Sequence, residues 1–152
     1  MFSAKWYDYS DTSALADSYK IRNEVFVREQ GIPDEIEFDG SDDEAMFVVI
    51  YENETPCATG RVTVTDEGNM LLGRIAVSKE FRGKRYGDLV VRMLIRKCFD
   101  SGMEIQYVDA QAGAVDFYKK LGFEIVEGAK PFVKAGIEHI PMLHRGDVGT
   151  IH

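Results

Sequence analysis

The chain has 152 residues, of which 45% are hydrophobic and 29% are charged, and its formal net charge is -8. This length and composition fit one globular domain with a single core, and the acidity argues against a general nucleic-acid-binding protein, which needs a broad basic surface. No apolar run approaches the roughly 20 residues that a membrane helix needs, so we expect no membrane association.

The N-terminal part of the chain predicts a strand followed by a helix. Residues 5–9 (KWYDY) are a candidate first strand. Thr12 or Ser13 can then cap a helix that runs to about Glu29, because apolar residues recur there at helical spacing. Pro33 follows and ends the helical pattern, since proline cannot continue a helix.

An irregular acidic segment precedes a group of strands. Seven acids and no lysine or arginine fall between Asp34 and Glu44. Three runs of strand character follow, at residues 46–52, 57–65 and 70–77, and short turns join them. Strands joined in this way predict an antiparallel meander.

The second half of the chain alternates helices and strands. In chain order it contains a helix with an apolar stripe of Val90, Leu94 and Cys98, a strand at 104–110, a short helix at 114–121, and late strands at 123–127 and 138–144. This order predicts a mixed sheet with helices on its faces. We expect one domain over residues 1–145 and a C-terminal tail at 146–152.

A basic stretch that contains glycine lies where a strand leads into a helix. Residues 81–90 (FRGKRYGDLV) gather Arg82, Lys84 and Arg85 in an otherwise acidic chain. A helix that begins in such a turn presents free backbone N–H groups and the positive end of its dipole, where phosphate binds well. The stretch predicts a site for a small polyanion. The alternative interpretation is a basic helix start with two turn glycines, and the Walker spacing is absent.

Cysteine, histidine and the chain start carry three further expectations. Cys57 and Cys98 stand far apart in unrelated contexts, so we interpret them as reduced hydrophobic residues of a cytoplasmic protein. The first ten residues have neither a basic leader nor an apolar core, so we expect no signal peptide. No His and Cys cluster has the spacing of metal ligands, and we predict no metal site.

Four motifs in sequence order extend the phosphate-site hypothesis. "RIAVSKEFRGKRYGDLVVRMLI" resembles the acyl-CoA-binding motif of the GNAT superfamily of N-acetyltransferases, with Arg82 first, Gly87 last and Arg85 in place of the middle glycine. "AVDFYKKLGFEIV" resembles the second signature of that superfamily. "IRNEVFVREQGIP" and "AGIEHIPM" look like the start and end signatures of its bacterial ElaA-like/YjcF-like branch. The resemblance runs from about Tyr19 to Met142.

The resemblance implies a fold and a cosubstrate. The fold is a single-domain α/β (α+β) GNAT fold, with a mostly antiparallel twisted sheet of about seven strands and a splay between two parallel central strands. Acetyl-CoA is the implied cosubstrate and lies in the splay, with its diphosphate on the loop from Arg82 to Gly87. The implied cofactor-binding residues are Ile75, Ala76, Val77, Arg82, Gly83, Lys84, Arg85, Tyr86, Gly87, Asp88, Gln111, Phe117 and Tyr118.

The implied reaction is direct attack of an acceptor amine on the thioester, and two kinds of catalytic group are needed. Tyr118 takes the general-acid position of the superfamily, near the departing sulfur; the alternative is a core aromatic on a short helix. The amine must lose a proton, and a water chain is one alternative to a side-chain base. The candidate bases are Glu24, Glu29, Glu37, Asp39 and His139, of which we select Glu29 and His139.

The charge of the acceptor has two opposite interpretations. The acidic run from Asp34 to Glu44 could steer a cationic acceptor, although a solvated loop explains the same residues. Arg22 and Arg28 on the preceding helix could instead receive an acidic group of the acceptor. The sequence does not choose between these interpretations.

Three functional classes fit the sequence. The first is an acetyl-CoA-dependent N-acetyltransferase that acts on a primary amine of a small molecule or a protein. The second is a non-catalytic acyl-CoA-binding sensor, and the third is an enzyme for another phosphate ligand, such as a nucleotide. The predicted partners are acetyl-CoA and an amine acceptor, without nucleic acid. Dimerisation is common among relatives, so a homodimer is compatible with the sequence, although no stripe of residues proves it.

Overall fold

Alternating apolar residues of the central strands face two separate cores. The computed structural model describes residues 2–40, 42 and 45–147. Within residues 46–52, Val48 and Ile50 pack into one core and Phe47 and Val49 pack into the other. Because successive strand side chains point to opposite faces, this strand is covered on both sides.

The described residues form eight strands and four α-helices. The strands are β1 (Phe2–Asp8), β2 (Met46–Glu52), β3 (Thr55–Val64), β4 (Met70–Val77), β5 (Ile105–Gln111), β6 (Glu124–Ile125), β7 (Phe132–Lys134) and β8 (Ile137–Arg145). The helices are α1 (Thr12–Arg22), α2 (Asp34–Glu37), α3 (Tyr86–Asp100) and α4 (Val115–Lys120). Helix α1 continues directly into a π-helical segment, Asn23–Glu29. None of the described helices is long and apolar enough to cross a membrane.

All strands belong to one sheet with a single parallel pair. The order is β1-β2-β3-β4-β5-β8-β6, and β7 pairs with the same edge of β8 as β6. Strands β4 and β5 are parallel and pair only at Met70–Gln106, Leu71–Tyr107 and Leu72–Val108. Beyond Leu72 the two strands separate. The predicted mixed, mostly antiparallel sheet and the predicted splay are both confirmed.

Helices cover both faces of the sheet, as predicted. Helix α3 buries Val90, Leu94 and its neighbours in the core that contains Val48. It approaches β3 closely at Gly60, where an added Cβ would lie 2.5 Å from Cγ1 of Val90. Helix α1 and the π-helical segment pack on the opposite face, where Phe26 contributes to the second core.

Local details at the first helix differ from the prediction. Asp11, and not Thr12 or Ser13, caps α1, because its carboxylate accepts a hydrogen bond of 3.0 Å from the amide of Ala14. The helical stretch does end at Glu29, but its last seven residues are π-helical, as the hydrogen bond from the Gln30 amide to the Val25 carbonyl indicates.

The short strand β7 was not predicted. It has three residues, Phe132–Lys134, and forms a hairpin with β8. A run of three residues is too short for an alternating pattern to show. Of the predicted tail, residues 146 and 147 are described.

A buried ion-pair network corrects the interpretation of the acidic run. Arg22 is 2% exposed; its Nε donates to Glu37 at 2.8 Å and its Nη1 donates to Asp42 at 2.9 Å. Arg61 also donates to Asp42, at 3.0 Å, and Nε of Arg74 lies 3.1 Å from Oε2 of Glu37. Glu37 and Asp42 are therefore structural rather than solvated, and Arg22 is unable to receive an acceptor. Ser41, Asp43 and Glu44 of the run lie outside the described residues.

We expect Arg22→Met to lower the free energy of unfolding by about 3 kcal/mol, because it leaves buried carboxylates with fewer partners. Urea denaturation measures the change. Arg28→Met is the matched control, since Arg28 is exposed on the following turn, and it should stay within about 0.5 kcal/mol of the unmodified chain. Equal effects of the two substitutions would contradict a stabilising role for the network.

Candidate functional site

The separation of β4 and β5 opens a cavity of about 520 Å³. One part of its lining comes from Val77, Arg82, Gly87 and the aromatic residues of α4. A second part comes from the π-helical segment, α2 and the β7–β8 hairpin, and contains apolar, cationic and anionic side chains. The cavity therefore connects the start of α3 with the opposite face of the sheet.

The loop before α3 is open to solvent and has free amides. Within the described chain, the backbone N–H groups of residues 83–88 donate to no protein acceptor. Gly83 has φ 85° and Arg85 has φ 66°, so both adopt the left-handed conformation. Glycine adopts this conformation without strain and arginine does not. Arg85 therefore occupies a backbone conformation that favours glycine, at the position where the acyl-CoA motif described above has its middle glycine.

Both basic side chains next to Gly83 are held by carboxylates from other elements. Nη1 and Nη2 of Arg82 donate to the two Glu29 oxygens at 2.8 and 2.7 Å, and its Nε donates to the Val77 carbonyl at 3.1 Å. Nζ of Lys84 donates to Glu52 at 2.9 Å. Arg82 holds the pKa of Glu29 below its usual value through these hydrogen bonds.

Two predicted cofactor-binding residues direct their side chains to protein groups. The Tyr86 hydroxyl donates to Glu52, which together with partial burial raises the pKa of Tyr86 to about 12. The Asp88 carboxylate accepts from Arg92 one turn later. The side chains of these two residues are therefore engaged by protein groups, whereas their backbone amides are free for a ligand.

The end of β4 presents an unpaired edge to the cavity. Ile75, Ala76 and Val77 line the cavity and follow Leu72, the last residue that pairs with β5. Ala76 and Val77 still pair with β3 on the other side. The backbone groups that point toward β5 are consequently available for an extended ligand.

Tyr118 is both a core residue and a cavity residue. It is 7% exposed and packs edge-on against Phe117 and Phe123, with ring centroids 5.1 and 5.4 Å away. Burial raises the pKa of the Tyr118 hydroxyl above its usual value. Its side chain also lines the cavity beside Gly87. The two interpretations of this tyrosine are compatible with each other.

Gln111 connects the end of β5 to the π-helical side of the cavity. Its Nε2 donates to Oε1 of Gln30 at 2.9 Å, and both residues line the cavity. This hydrogen bond joins the last residue of β5 to the residue that directly follows the π-helical segment. A ligand that uses Gln111 must share or replace the contact with Gln30.

The candidate bases differ sharply in position. Glu24 accepts from the Lys79 amide at 3.0 Å and Asp39 lies 3.8 Å from Arg74. These two residues and Glu29 do not line the cavity, whereas Glu37 and His139 do. The carboxylate of Glu37 is already paired with arginines, as described above. His139 is thus the candidate base with cavity access and no ionic partner among the described residues.

The tautomer of His139 follows from its hydrogen bond. Its Nδ1 lies 2.8 Å from the Ile137 carbonyl, which can only accept, so Nδ1 carries the proton. In the neutral ring Nε2 then has a free lone pair. The ring of Phe132 stacks on the imidazole with centroids 5.4 Å apart and fixes its plane.

Asp109 is a cavity residue that the sequence interpretation missed. It lies two residues before Gln111 on β5, and so on the same face, and Gln111 pairs with His139. Partial removal of water from the Asp109 carboxyl raises its pKa above the usual value, although the positive charges of His139 and Lys134 oppose this change. Its place on the same strand face as Gln111 was the available signal.

Comparisons with known proteins agree on one family. The model described as "Acetyltransferase (GNAT) family" matches residues 14–123. The uncharacterized N-acetyltransferase YjcF of Bacillus subtilis is 37% identical over 129 residues, covering 85% of this chain and 91% of YjcF. Escherichia coli ElaA matches with a TM-score of 0.84 and 26% identity, over 95% of this chain and 100% of ElaA.

A fourth comparison concerns a protein with a bound ligand. A GNAT family acetyltransferase from Elizabethkingia anophelis with acetyl-CoA bound has a TM-score of 0.70 and 14% identity, over 95% of this chain and 97% of that chain. It shares the fold. The range matched by the family model includes the loop at 82–88 and Tyr118, and it ends before β7 and β8.

We expect Arg85→Gly to raise the free energy of unfolding by about 1 kcal/mol, because glycine adopts the left-handed conformation without strain. Thermal unfolding measures the change. Arg85→Ala is the matched control, since it removes the same charge and keeps a Cβ at this position. A stabilisation by alanine equal to that by glycine would show that the charge, and not the backbone, is responsible.

Proposed function

The chain belongs to the GNAT acetyltransferase family, in the branch of YjcF and ElaA, and on this premise we propose that it transfers the acetyl group of acetyl-CoA directly to a primary amine. The family establishes an acetyltransferase that uses an acyl-CoA. The acetyl group, the amine acceptor and the residue roles are our proposal. One observation carries it: the cavity reaches from the free amides before α3 to Tyr118 and His139.

The proposed position of the cosubstrate follows the available backbone groups. The diphosphate binds the amides of residues 83–88, where the helix dipole favours negative charge. The pantetheine arm lies along the unpaired edge of β4 at Ile75, Ala76 and Val77 and brings the thioester next to Tyr118. The acetyl-CoA complex of the Elizabethkingia anophelis protein, which has the same fold, supports this cosubstrate.

In the proposed step a neutral amine attacks the thioester carbonyl, so that a C–N bond forms and the C–S bond breaks. The carbonyl oxygen gains negative charge on the way, and a backbone N–H near Val77 stabilises it. Tyr118 donates its hydroxyl proton to the departing sulfur, and the proton that the attacking nitrogen loses as the amide forms returns to the Tyr118 phenolate through solvent, so that the step balances. The demand on this acid is modest, because an alkyl thiol has a pKa near 8.5 and its thiolate is a fair leaving group.

We propose that His139 accepts the proton that the ammonium form of the acceptor must lose before attack. Its Nε2 has a free lone pair and it lines the cavity. Glu29, our other sequence-based candidate, is less suited, because Arg82 binds both of its oxygens and lowers its pKa. A carboxylate with a lowered pKa is a weaker base. We propose instead that Glu29 holds Arg82 until the diphosphate arrives.

Turnover separates this proposal from the non-catalytic sensor. The experiment mixes the full chain, acetyl-CoA and a library of primary amines, and follows thiol release together with product mass. Stoichiometric release of thiol and a product heavier by one acetyl group support acetyl transfer. Saturable binding of acetyl-CoA without any acetylated product across the library would contradict it in favour of a sensor.

We expect Tyr118→Phe to lower kcat by about one to three orders of magnitude, because the sulfur then leaves without a proton donor. Steady-state thiol release measures kcat. Tyr9→Phe is the matched control, since Tyr9 is exposed and outside the cavity, and it should leave kcat unchanged. An unchanged kcat in Tyr118→Phe would remove the general-acid role.

We expect Glu29→Gln to tighten coenzyme A binding about two- to fivefold, because Arg82 no longer has to leave a carboxylate to reach the diphosphate. Titration calorimetry with coenzyme A measures the Kd. Glu35→Gln is the matched control, because it removes one negative charge at an exposed position away from Arg82. Equal changes in the two variants would mean that only the overall charge matters.

A further inference from the structure

The cavity has an unusual charge balance for so acidic a chain. Its lining contains four cationic side chains, Arg61, Arg74, Arg82 and Lys134, and two carboxylates, those of Glu37 and Asp109. Arg82 belongs to the diphosphate loop. On the acceptor side, cations therefore still outnumber carboxylates, although the whole chain carries a formal charge of -8.

Most of these charges are already engaged by protein. Glu37 is bound by Arg22 and lies 3.1 Å from Arg74. Arg61 donates to Asp42, yet burial and the positive charges of Arg74 and Arg22 lower the pKa of its guanidinium. Nη2 of Arg74 also donates to the carbonyls of Ile36 and Glu37 at 3.3 and 3.2 Å, so protein groups already hold these arginines.

Two lining charges of opposite sign are left without an ion-pair partner in the described part of the chain. They are Asp109 on β5 and Lys134 on β7. They are close enough for Lys134 to lower the pKa of the Asp109 carboxyl, but no contact within 4.0 Å joins them. His139, the proposed base, lies diagonally from Asp109 across the β5–β8 pair.

Part of the acceptor side is apolar. Val25 and Phe26 of the π-helical segment, together with Ile32 and Ile36, form a wall of the same cavity. An acceptor that fills this space must present hydrocarbon to that wall. It must also satisfy one anionic and one cationic protein group of the same lining, Asp109 and Lys134.

We propose that the acceptor is a small amino acid with an apolar side chain, whose amine lies between Asp109 and His139 and whose carboxylate binds Lys134. This inference rests on the proposed acetyl transfer and names the substrate class of the same site. Asp109 attracts the ammonium form, and His139 takes the proton before attack. Lys134 contacts the substrate and determines specificity.

The test compares compounds that differ only in the carboxylate. Leucine, phenylalanine and methionine are each compared with the corresponding amino acid amide and with the decarboxylated amine. An α-amino group beside an amide has a pKa near 8, whereas the negative carboxylate of the free acid stabilises the ammonium form and raises the pKa of its amine above that value. The amide therefore has the more readily neutral amine, so a preference for the acid runs against intrinsic reactivity.

We expect kcat/KM for the acid to exceed that for the amide by about five- to tenfold for at least one of the three amino acids. Lys134→Met should remove this preference by raising KM for the acid at least about fivefold more than KM for the amide. Lys130→Met is the matched control, because Lys130 is exposed and does not line the cavity. An amide that is as good as its acid throughout the panel, or a preference that survives Lys134→Met, would overturn the proposal.

A binding measurement keeps this inference separate from the proposed function. The melting temperature of the full chain is measured with coenzyme A and each compound, where no transfer is required. A larger upward shift with the acids than with the amides, lost in Lys134→Met, supports the carboxylate site even if no acetylated product forms. Equal shifts, or none, would overturn it even if other amines are acetylated.

Discussion

The backbones of β4 and β5 stop pairing after Leu72 and Val108, although both strands continue for several residues. Buried backbone groups without partners cost free energy, so the space between separating strands must admit water or a ligand. Every predicted contact of the acyl-CoA depends on this separation. The other edge of each strand stays hydrogen-bonded, because β3 still pairs with the end of β4 and β8 pairs along the whole of β5.

Carboxylates from distant parts of the chain organise the basic residues around this opening. Glu29 and Glu52 bind the Arg82 and Lys84 side chains of the loop. Glu37 and Asp42 bind the buried arginines. The first group is exposed and exchangeable, whereas the second is buried and expensive to disturb. The acidic residues therefore have two roles that the net charge does not distinguish. At the loop they pair reversibly with Arg82 and Lys84, and in the interior they hold buried arginines in place.

The sequence predicted well what short-range patterns determine. Strands β2 and β4 have the predicted bounds, a basic turn with glycines marked the start of α3, and a short apolar stripe marked the helix that carries Tyr118. Long-range pairing was not predictable: the burial of Glu37 depends on Arg22 and Arg74, which come from two other elements. Asp109 was missed because a single carboxylate in a strand has no local pattern, and its importance appears only when His139 lies on the neighbouring strand.

The π-helical segment has a consequence for how this branch can diversify. A π turn accommodates one residue more than an α turn, so losing one residue there restores an ordinary helix while the elements on either side keep nearly the same orientation. Such a deletion would change which side chains of residues 23–29 face the apolar wall and the loop, while leaving the strands in register. A one-residue difference in length is thus a route by which homologous genes can acquire a different acceptor pocket on an unaltered sheet.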